Sequence, residues 1–227
     1  MLLSILVITL LTDFISCHQS QKPISESTSL SINGIPFSTR AYWMRVANQA
    51  LSDLVSPCPF GAFGTAIVNH TDSNDGLGEL VCIGANSIAS TGNPSEMAAI
   101  LNCTSILTSP SGPYNLTPAQ AQMAFQDLSL YTNAESCPMC ASAIRWSGFK
   151  EYIYGTSIEK LIEKGWGQIR IGSMEIMRQS FDLGTSTRLI GEVLTNETDP
   201  YFDWQYDPEY PCPSGCERVE GSCRESA

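Results

Sequence analysis

Four short apolar runs separated by helix-length segments most restrict how this chain can fold. The strand-like runs cover residues 64–69, 79–86, 128–133 and 151–154. Helical spacing of apolar residues covers roughly 39–55, 94–107, 119–125 and 138–148. The polar loop with Asp75 and Gly76 suits an antiparallel hairpin, whereas strands joined by crossover helices belong to a sheet packed on both faces. The sequence therefore predicts an α/β protein, a three-layer α/β/α sandwich around a mixed sheet.

The composition divides the chain into four parts. Residues 1–17 are predicted to be a secretory signal peptide, because the apolar stretch from Leu2 to Leu11 is too short to span a bilayer. A buried first strand or helix is the alternative. Residues 18–38 are polar and serine-rich, which predicts a flexible lead-in. The predicted domain covers residues 39–195, and residues 196–227 form a cysteine-rich tail.

Sequons and cysteines favour a secreted glycoprotein with disulfides. Four N-glycosylation sequons begin at Asn69, Asn102, Asn115 and Asn196. If Cys17 leaves with the signal peptide, eight of the nine cysteines remain, and six of these could form three bridges once Cys137 and Cys140 are set aside. Their connectivity stays open. The turn-rich tail is expected to need a local disulfide among Cys212, Cys216 and Cys223.

The charge of the chain argues against a nucleic-acid polymer as partner. The formal net charge is −11 with 12 Lys and Arg residues, and no basic cluster is present to contact phosphates. A small uncharged or cationic ligand fits this balance, although solubility outside the cell would also account for it. No membrane partner is predicted once the signal peptide has been removed.

The stretch ESCPMC, residues 135–140, carries the clearest chemical signal. Cys137 and Cys140 are spaced to face one side of a first helical turn, where both could bind one tetrahedral Zn²⁺ as thiolates. A redox pair or a short-range disulfide is the alternative. The Asn93-Pro94 and Cys137-Pro138 pairs each start a helix at a strand end, so two helix N-termini are expected to meet at this site.

Together with three other segments, this stretch resembles the cytidine and deoxycytidylate deaminase superfamily, whose signature is H-x-E followed by P-C-x-x-C. The other matching segments are Pro59 to Ala62, Gly84 to Asn86, and the AIRWSGF helix at 143–149. The resemblance covers roughly residues 40–160 and is strongest to the branch with guanine deaminase and tRNA adenosine deaminase. The whole chain looks like a secreted fungal member.

This resemblance implies a cytidine deaminase-like fold and hydrolytic deamination of a nucleobase or nucleoside. In the family a His and two Cys hold zinc, which activates a water, and a Glu moves protons. Carried over to this chain, the pattern makes Cys137 and Cys140 metal ligands and Asn86 and Phe60 base-binding residues. A turn-forming role is the plainer reading of Asn86, and a core position is that of Phe60. The family resemblance is also compatible with a homodimer.

The chain departs from the family at the third zinc ligand. Its only histidines, His18 and His70, lie far in sequence from the helix that should carry H-x-E. In a gapless alignment Met97 takes the His position and Ala99 the Glu position. We prefer the alignment that keeps Glu96 as the catalytic Glu and leaves out three residues including the His, either by a lineage change or by an exon-boundary error. Glu96 could also be a favourable first-turn acid and nothing more.

Three functions are therefore open on sequence alone. The first is a zinc-dependent nucleobase or nucleoside deaminase, impaired because H-x-E is incomplete. The second is a catalytically inactive deaminase-fold binding protein. The third is a disulfide-stapled secreted protein without a metal.

Overall fold

The computed structural model describes residues 30–53, 58, 61–71, 76–86 and 93–226. The predicted signal peptide and most of the predicted lead-in lie outside these residues. None of the helices in the described part has the length and apolarity needed to cross a membrane.

A mixed five-stranded sheet forms the centre of the molecule. In chain order its strands are β3 Gly64–Asn69, β4 Glu79–Ala85, β5 Leu128–Ala134, β6 Glu151–Thr156 and β7 Arg188–Ile190. Their order across the sheet is β4-β3-β5-β6-β7. β3 is antiparallel to both β4 and β5, whereas β5, β6 and β7 run parallel. Two short hairpins lie outside the sheet, β1 Ser31–Ile32 with β2 Ile35–Pro36, and β8 Cys216–Val219 with β9 Ser222–Glu225.

Helices cover both faces of this sheet, which confirms the predicted three-layer α/β/α sandwich. The helices are α1 Phe37–Gln49, α2 Ser95–Thr108, α3 Pro118–Ala124, α4 Pro138–Ser147, α5 Ile158–Glu163, α6 Ser173–Gln179 and α7 Thr195–Thr198. α1 buries Met44 and Ala47 on one face, against Ala66 and Tyr131. The opposite face packs on residues of α2, α3 and α4. α4 ends where Gly148 takes a left-handed conformation with φ 78°, the usual role of a glycine at a helix end.

Two predicted boundaries differ from the structure. The lead-in was expected to extend to residue 38, but β1 and β2 already form a hairpin and α1 begins at Phe37. This hairpin is anchored because Asn33 Nδ2 donates a hydrogen bond to Glu151 Oε1 at 2.6 Å. The tail was expected to start at residue 196, which falls inside α7. Phe202 and Trp204 from this region are buried in a cluster with Trp166, so the region packs on the domain.

Three disulfides use the six cysteines that the sequence left for bridging. The pairs are Cys82–Cys103, Cys58–Cys216 and Cys212–Cys223. The first ties β4 to α2 inside the core, the second ties the tail to the segment before β3, and the third closes the tail on itself. Cys137 and Cys140 stay free. The expected local bridge in the tail is therefore Cys212–Cys223.

A buried ion pair joins α1 to the N-terminal end of β6. Arg40 and Glu151 are 2% and 1% exposed, and Arg40 Nη2 lies 3.1 Å from Glu151 Oε1. Burial by itself would raise the pKa of Glu151, but the hydrogen bonds from Arg40, Asn33 and Ser129 and the charge of Arg40 outweigh it and lower the pKa. The pair therefore stabilises the fold at neutral pH.

Replacing Arg40 with Met should lower the free energy of unfolding by about 3–5 kcal/mol, because it leaves a buried carboxylate without its cation. The pKa of Glu151 is lowered in the folded state, so the loss is fully present at neutral pH and shrinks as the pH falls below the ordinary Glu range. Urea unfolding at pH 7 and at acidic pH measures both effects. The control is Arg45→Met, which breaks the exposed pair with Glu197 and should cost less than about 1 kcal/mol. Equal losses in the two variants would contradict the assignment.

Candidate active site

A cavity of about 180 Å³ opens at the end of the sheet where β5 stops and where α2 and α4 begin. The residues that line it come from loops and first helical turns on both sides of β5. They are Phe63, Asn86, Pro94, Glu96, Glu135, Cys137, Cys140 and Gln168. The structure thus brings Asn86, Glu96, Cys137 and Cys140, which are spread over residues 86–140 of the sequence, to one place. Their chemical roles stay predictions.

Glu96 lies in the first turn of α2 and is 5% exposed. Its Oε1 accepts a hydrogen bond from Ser136 Oγ at 2.6 Å, and its Oε2 accepts one from Ser95 Oγ at 3.1 Å. Thr65 Oγ1 in turn donates to Ser95 Oγ at 3.1 Å. Buried polar groups need such partners, and bonds to an ionised acceptor are the stronger kind. The carboxyl group of Glu96 is therefore held in one orientation at the cavity wall.

Cys137 and Cys140 lie at the start of α4, where Cys137 is the N-cap and Pro138 the first helical residue. A hydrogen bond from the Cys140 thiol, helped by backbone N–H groups, lowers the pKa of Cys137 to about 6 although burial opposes the shift. The same hydrogen bond, together with burial and the nearby charge of Glu96, raises the pKa of Cys140. Cys137 is half-buried and Cys140 is buried, so Cys137 is the more accessible thiol.

A third metal ligand is missing from this arrangement. No group of three or more His, Cys, Asp or Glu in the part of the chain that the structure describes is arranged to hold a metal ion. His70 follows the far end of β3, where its Nε2 lies 2.9 Å from the Tyr131 hydroxyl, and His18 lies outside the described residues. Residues 87–92, which the structure does not describe, contain no His, Cys, Asp or Glu. The residues present therefore do not fit the zinc set of two Cys and one His.

Asn86 follows β4 and is 5% exposed. Its backbone N–H donates to Phe63 O at 2.9 Å, which ties the end of β4 to the segment before β3. Phe60, the other predicted base-binding residue, lies outside the described residues. Phe63 lines the cavity, and Trp166 packs edge-on against it with 5.4 Å between the ring centroids. Trp166 belongs to the cluster that contains the tail residues Phe202 and Trp204, so the tail supports this wall.

Sequence reasoning missed several residues at this site. Phe63, Glu135 and Gln168 line the cavity, and Ser95 and Ser136 hold Glu96. The sequence did offer a signal for Glu135, since it is an acidic residue directly after a buried strand and directly before the cysteine motif. Gln168 had none, because it lies more than twenty residues further along the chain in a loop.

The charge of the cavity wall is negative. Glu96 and Glu135 belong to its lining, and the lining residues that the structure describes include no Lys, Arg or His. A bound anion would find no cation at this wall. The wall suits a neutral or cationic molecule with N–H donors.

A mixed sheet between helices, with a paired cysteine motif and a buried Glu at two helix starts, defines a deaminase-type α/β protein. The sequence profile of the family described as "Cytidine and deoxycytidylate deaminase zinc-binding region" matches residues 37–156, more than half of the 227-residue chain. The chain belongs to this family, as its sequence motifs predicted.

Two curated relatives match parts of the chain. One is the guanine deaminase of Bacillus subtilis, 29% identical over 109 residues, which are 47% of this chain and 57% of the relative. Another is a probable cytosine deaminase of Schizosaccharomyces pombe, 51% identical over 35 residues, which are 15% of this chain and 22% of the relative. The alignments therefore span less than two thirds of either relative.

Solved structures share the fold at low sequence identity. A mutant protein in complex with 8-azaguanine is 16% identical, with a TM-score of 0.51, over 71% of this chain and 82% of that one. The structure of the same protein in complex with 2,6-diaminopurine is 17% identical, with a TM-score of 0.50, over 76% of this chain and 82% of that one. At such identity the likeness supports the fold alone.

In metal-free protein, iodoacetamide should modify Cys137 well before Cys140, and its rate should rise through a midpoint near pH 6. The lowered pKa puts Cys137 in the reactive thiolate form above that pH, whereas the labelling rate of an ordinary thiol has its midpoint at about pH 8.5. Peptide mass spectrometry after timed labelling measures both sites.

Replacing Cys140 with Ala should move this midpoint upward, since the hydrogen bond to the Cys137 thiolate is lost. Replacing the exposed neighbour Met139 with Ala should leave it in place. A midpoint near pH 9 in the unmodified chain would contradict the geometry.

Proposed function

We propose that this protein binds a nucleobase or nucleoside in the cavity of its deaminase fold and that its hydrolytic deamination is impaired. One observation carries the proposal: Glu96, Asn86, Cys137 and Cys140 line a single cavity, yet the described residues provide no third ligand for zinc. Membership of the family supports the reaction class. The missing ligand supports the impairment.

The size and charge of the cavity support a small amino-bearing heterocycle as ligand. Its volume of about 180 Å³ is below the range of roughly 300–1,000 Å³ typical of pockets for drug-sized molecules. The carboxyl groups of Glu96 and Glu135 would repel a phosphate, and that of Glu96 would accept a hydrogen bond from the base. The Phe63 ring offers a stacking surface for a base. We therefore favour a free base or nucleoside over a nucleotide or a nucleic-acid polymer.

Glu96 and Asn86 have different tasks in this proposal. Glu96 lines the wall and would accept a hydrogen bond from a ring N–H or an amino group of the base. It would also carry the proton in any hydrolytic step, since a carboxyl group beside the reacting atom can act as general acid and base. The Asn86 side chain would donate to and accept from the edge of the base.

Zinc would have only the thiols of Cys137 and Cys140 as ligands from this site. Altered groups around metal ligands already cost roughly 10- to 100-fold in affinity or activity, and the loss of a ligand should cost more. Weak metal binding and slow turnover follow. If no base binds either, the third function predicted from the sequence, a secreted protein stapled by disulfides, is the alternative.

We also propose that the protein is secreted and N-glycosylated. The three disulfides support an oxidising compartment. The side chains of Asn102, Asn115 and Asn196 are exposed, as glycan acceptors need to be. Asn69 is half-buried, and its Oδ1 accepts hydrogen bonds from the N–H and hydroxyl of Thr71 within its own sequon.

Exposed apolar side chains on α4 and around α6 support a homodimer. α4 exposes 58% of Met139 and 72% of Trp146, and Met174 of the neighbouring α6 is 55% exposed. Phe181, just after α6, is 85% exposed. A second copy of the chain is the occupant we propose for this surface, because large exposed apolar groups at one face mark association sites.

Binding of free bases should be at least about tenfold tighter than binding of the corresponding 5′-monophosphates, because the described lining residues include two Glu and no Lys, Arg or His. Isothermal titration with adenine, guanine, cytosine and 2,6-diaminopurine, each beside its nucleotide where one exists, measures this ratio. Glu96→Gln should weaken base binding, whereas the exposed control Glu163→Gln should not. Ammonia release in the same samples reports any deamination. Equal affinity for bases and monophosphates, or no binding of either, would refute the proposed ligand class.

Inserting Leu-His-Gly between Ser95 and Glu96 should raise both zinc occupancy and deamination, because it supplies the missing imidazole beside the retained Glu96. Elemental mass spectrometry measures the zinc content, and ammonia release measures the activity. The control inserts Leu-Ala-Gly at the same position, which lengthens the chain equally without a ligand. If neither quantity rises above this control, the alignment that retains Glu96 is wrong.

A further inference from the structure

The carboxylate of Glu135 binds the first residue of α5 and the first residue of α6. Glu135 Oε2 accepts a hydrogen bond from Ile158 N at 3.0 Å, and Oε1 accepts one from Ser173 N at 2.6 Å. Ile158 is the first residue of α5, and Ser173 is the first residue of α6. The first N–H groups of a helix have no partner inside the helix, so one side chain serves two helix starts at once.

Glu135 is a buried acid that no ion pair in the described part of the chain stabilises. The residue is 6% exposed. A buried carboxylate without a cation needs hydrogen-bond donors at its oxygens, and the two backbone N–H groups supply them. The α6 backbone also passes close by, since a Cβ on Gly172 would lie 3.3 Å from Glu135 Oε1.

The loop that follows α5 and ends at the second of these contacts, at Ser173, contributes to one wall of the cavity. We call residues 164–172 the wall loop. Gln168 of the wall loop lines the cavity, and Trp166 of the same loop donates from Nε1 to Phe202 O at 2.8 Å. Glu135 itself is fixed to the sheet, because its backbone N–H donates to Thr156 O at 2.7 Å. The carboxylate therefore joins the wall loop to the end of the sheet.

The start of α6 is also connected to the carboxyl group of Glu96 through hydrogen bonds. Ser173 Oγ lies 3.1 Å from the Tyr152 hydroxyl, which accepts a hydrogen bond from Ser136 N at 2.7 Å. Ser136 Oγ in turn donates to Glu96. The start of α6 and the proposed proton carrier thus share a continuous buried hydrogen-bond network.

We propose that Glu135 is a positioning residue that fixes the wall loop so that Gln168 meets the bound base in one defined geometry. The proposal rests on the proposed function, since it requires a base in the cavity. Both oxygens of Glu135 are occupied by backbone N–H groups, so it acts through the wall loop and not by its own contact with the ligand. Selection among amino-bearing bases is then set partly by this loop, which lies outside the cysteine motif.

Hydrogen–deuterium exchange on the ligand-free protein tests whether Glu135 fixes the wall loop. Glu135→Gln keeps the size of the side chain but leaves one acceptor oxygen for two N–H donors. We expect the amides between Ile158 and Ser173 to exchange about 10- to 100-fold faster than in the unmodified chain. The control Glu175→Gln also removes an acid from the first turn of α6, but at an exposed position, and should leave exchange unchanged. Unchanged exchange in Glu135→Gln would overturn the proposal.

A double-mutant cycle on affinity for 2,6-diaminopurine tests whether Glu135 acts on the bound base through Gln168. Glu135→Gln and Gln168→Ala should each weaken binding about tenfold. The double variant should be little weaker than either single one, because both changes remove the same contact. A merely structural role of Glu135 would make the two effects multiply, and that result would overturn the positioning role. If the unmodified chain binds no base, the proposed function fails and the positioning role falls with it, whereas the exchange experiment still decides whether Glu135 holds the wall loop.

Discussion

The parallel pairing of β5 with β6 is the constraint from which the site follows. A parallel pair needs a crossover connection, so α4 starts beside the carboxyl end of β5 and returns along the sheet. β3 and β4 are antiparallel to each other. The chain therefore leaves β4 towards α2 at the same end of the sheet at which β5 stops. Two helix starts and the ends of β4 and β5 therefore enclose one cavity. Glu96 and Cys137 meet there because the sheet topology brings their elements together.

Three buried carboxyl groups near this sheet are stabilised in three different ways. Glu151 is paired with Arg40 at the end of the sheet that is remote from the cavity, where it binds α1 and the N-terminal hairpin. Glu135 is held by the backbone N–H groups of two helices. Glu96 is held by serine hydroxyls, which leave it beside the cavity without a neutralising cation. Glu96 lines the cavity together with Asn86 and the two cysteines, and this is why it is the centre of the proposed function.

The site combines intact and missing parts of the family pattern. The paired cysteines, the buried Glu and the Asn at the strand end share one cavity, whereas the described residues supply no imidazole to complete a metal set. A pocket can keep its shape after losing a ligand, because the fold is maintained by the sheet, the helix packing and three disulfides. Binding of a base therefore depends on fewer groups than its hydrolysis does. This difference underlies the proposal of a binding protein with impaired turnover.

Local patterns in the sequence were enough to predict the layers of the fold and the cysteine pair, because strand and helix periods and the C-x-x-C spacing are properties of neighbouring residues. The family pattern also singled out Glu96 and Asn86. The three-dimensional structure was needed to show that Ser136 binds Glu96, that Glu135 anchors the wall loop, and that Phe63 and Gln168 line the cavity. It was needed for the pairing of the six other cysteines as well. These contacts join residues that crossover connections and tail packing bring together, and no local pattern encodes which distant side chain will fill a given position.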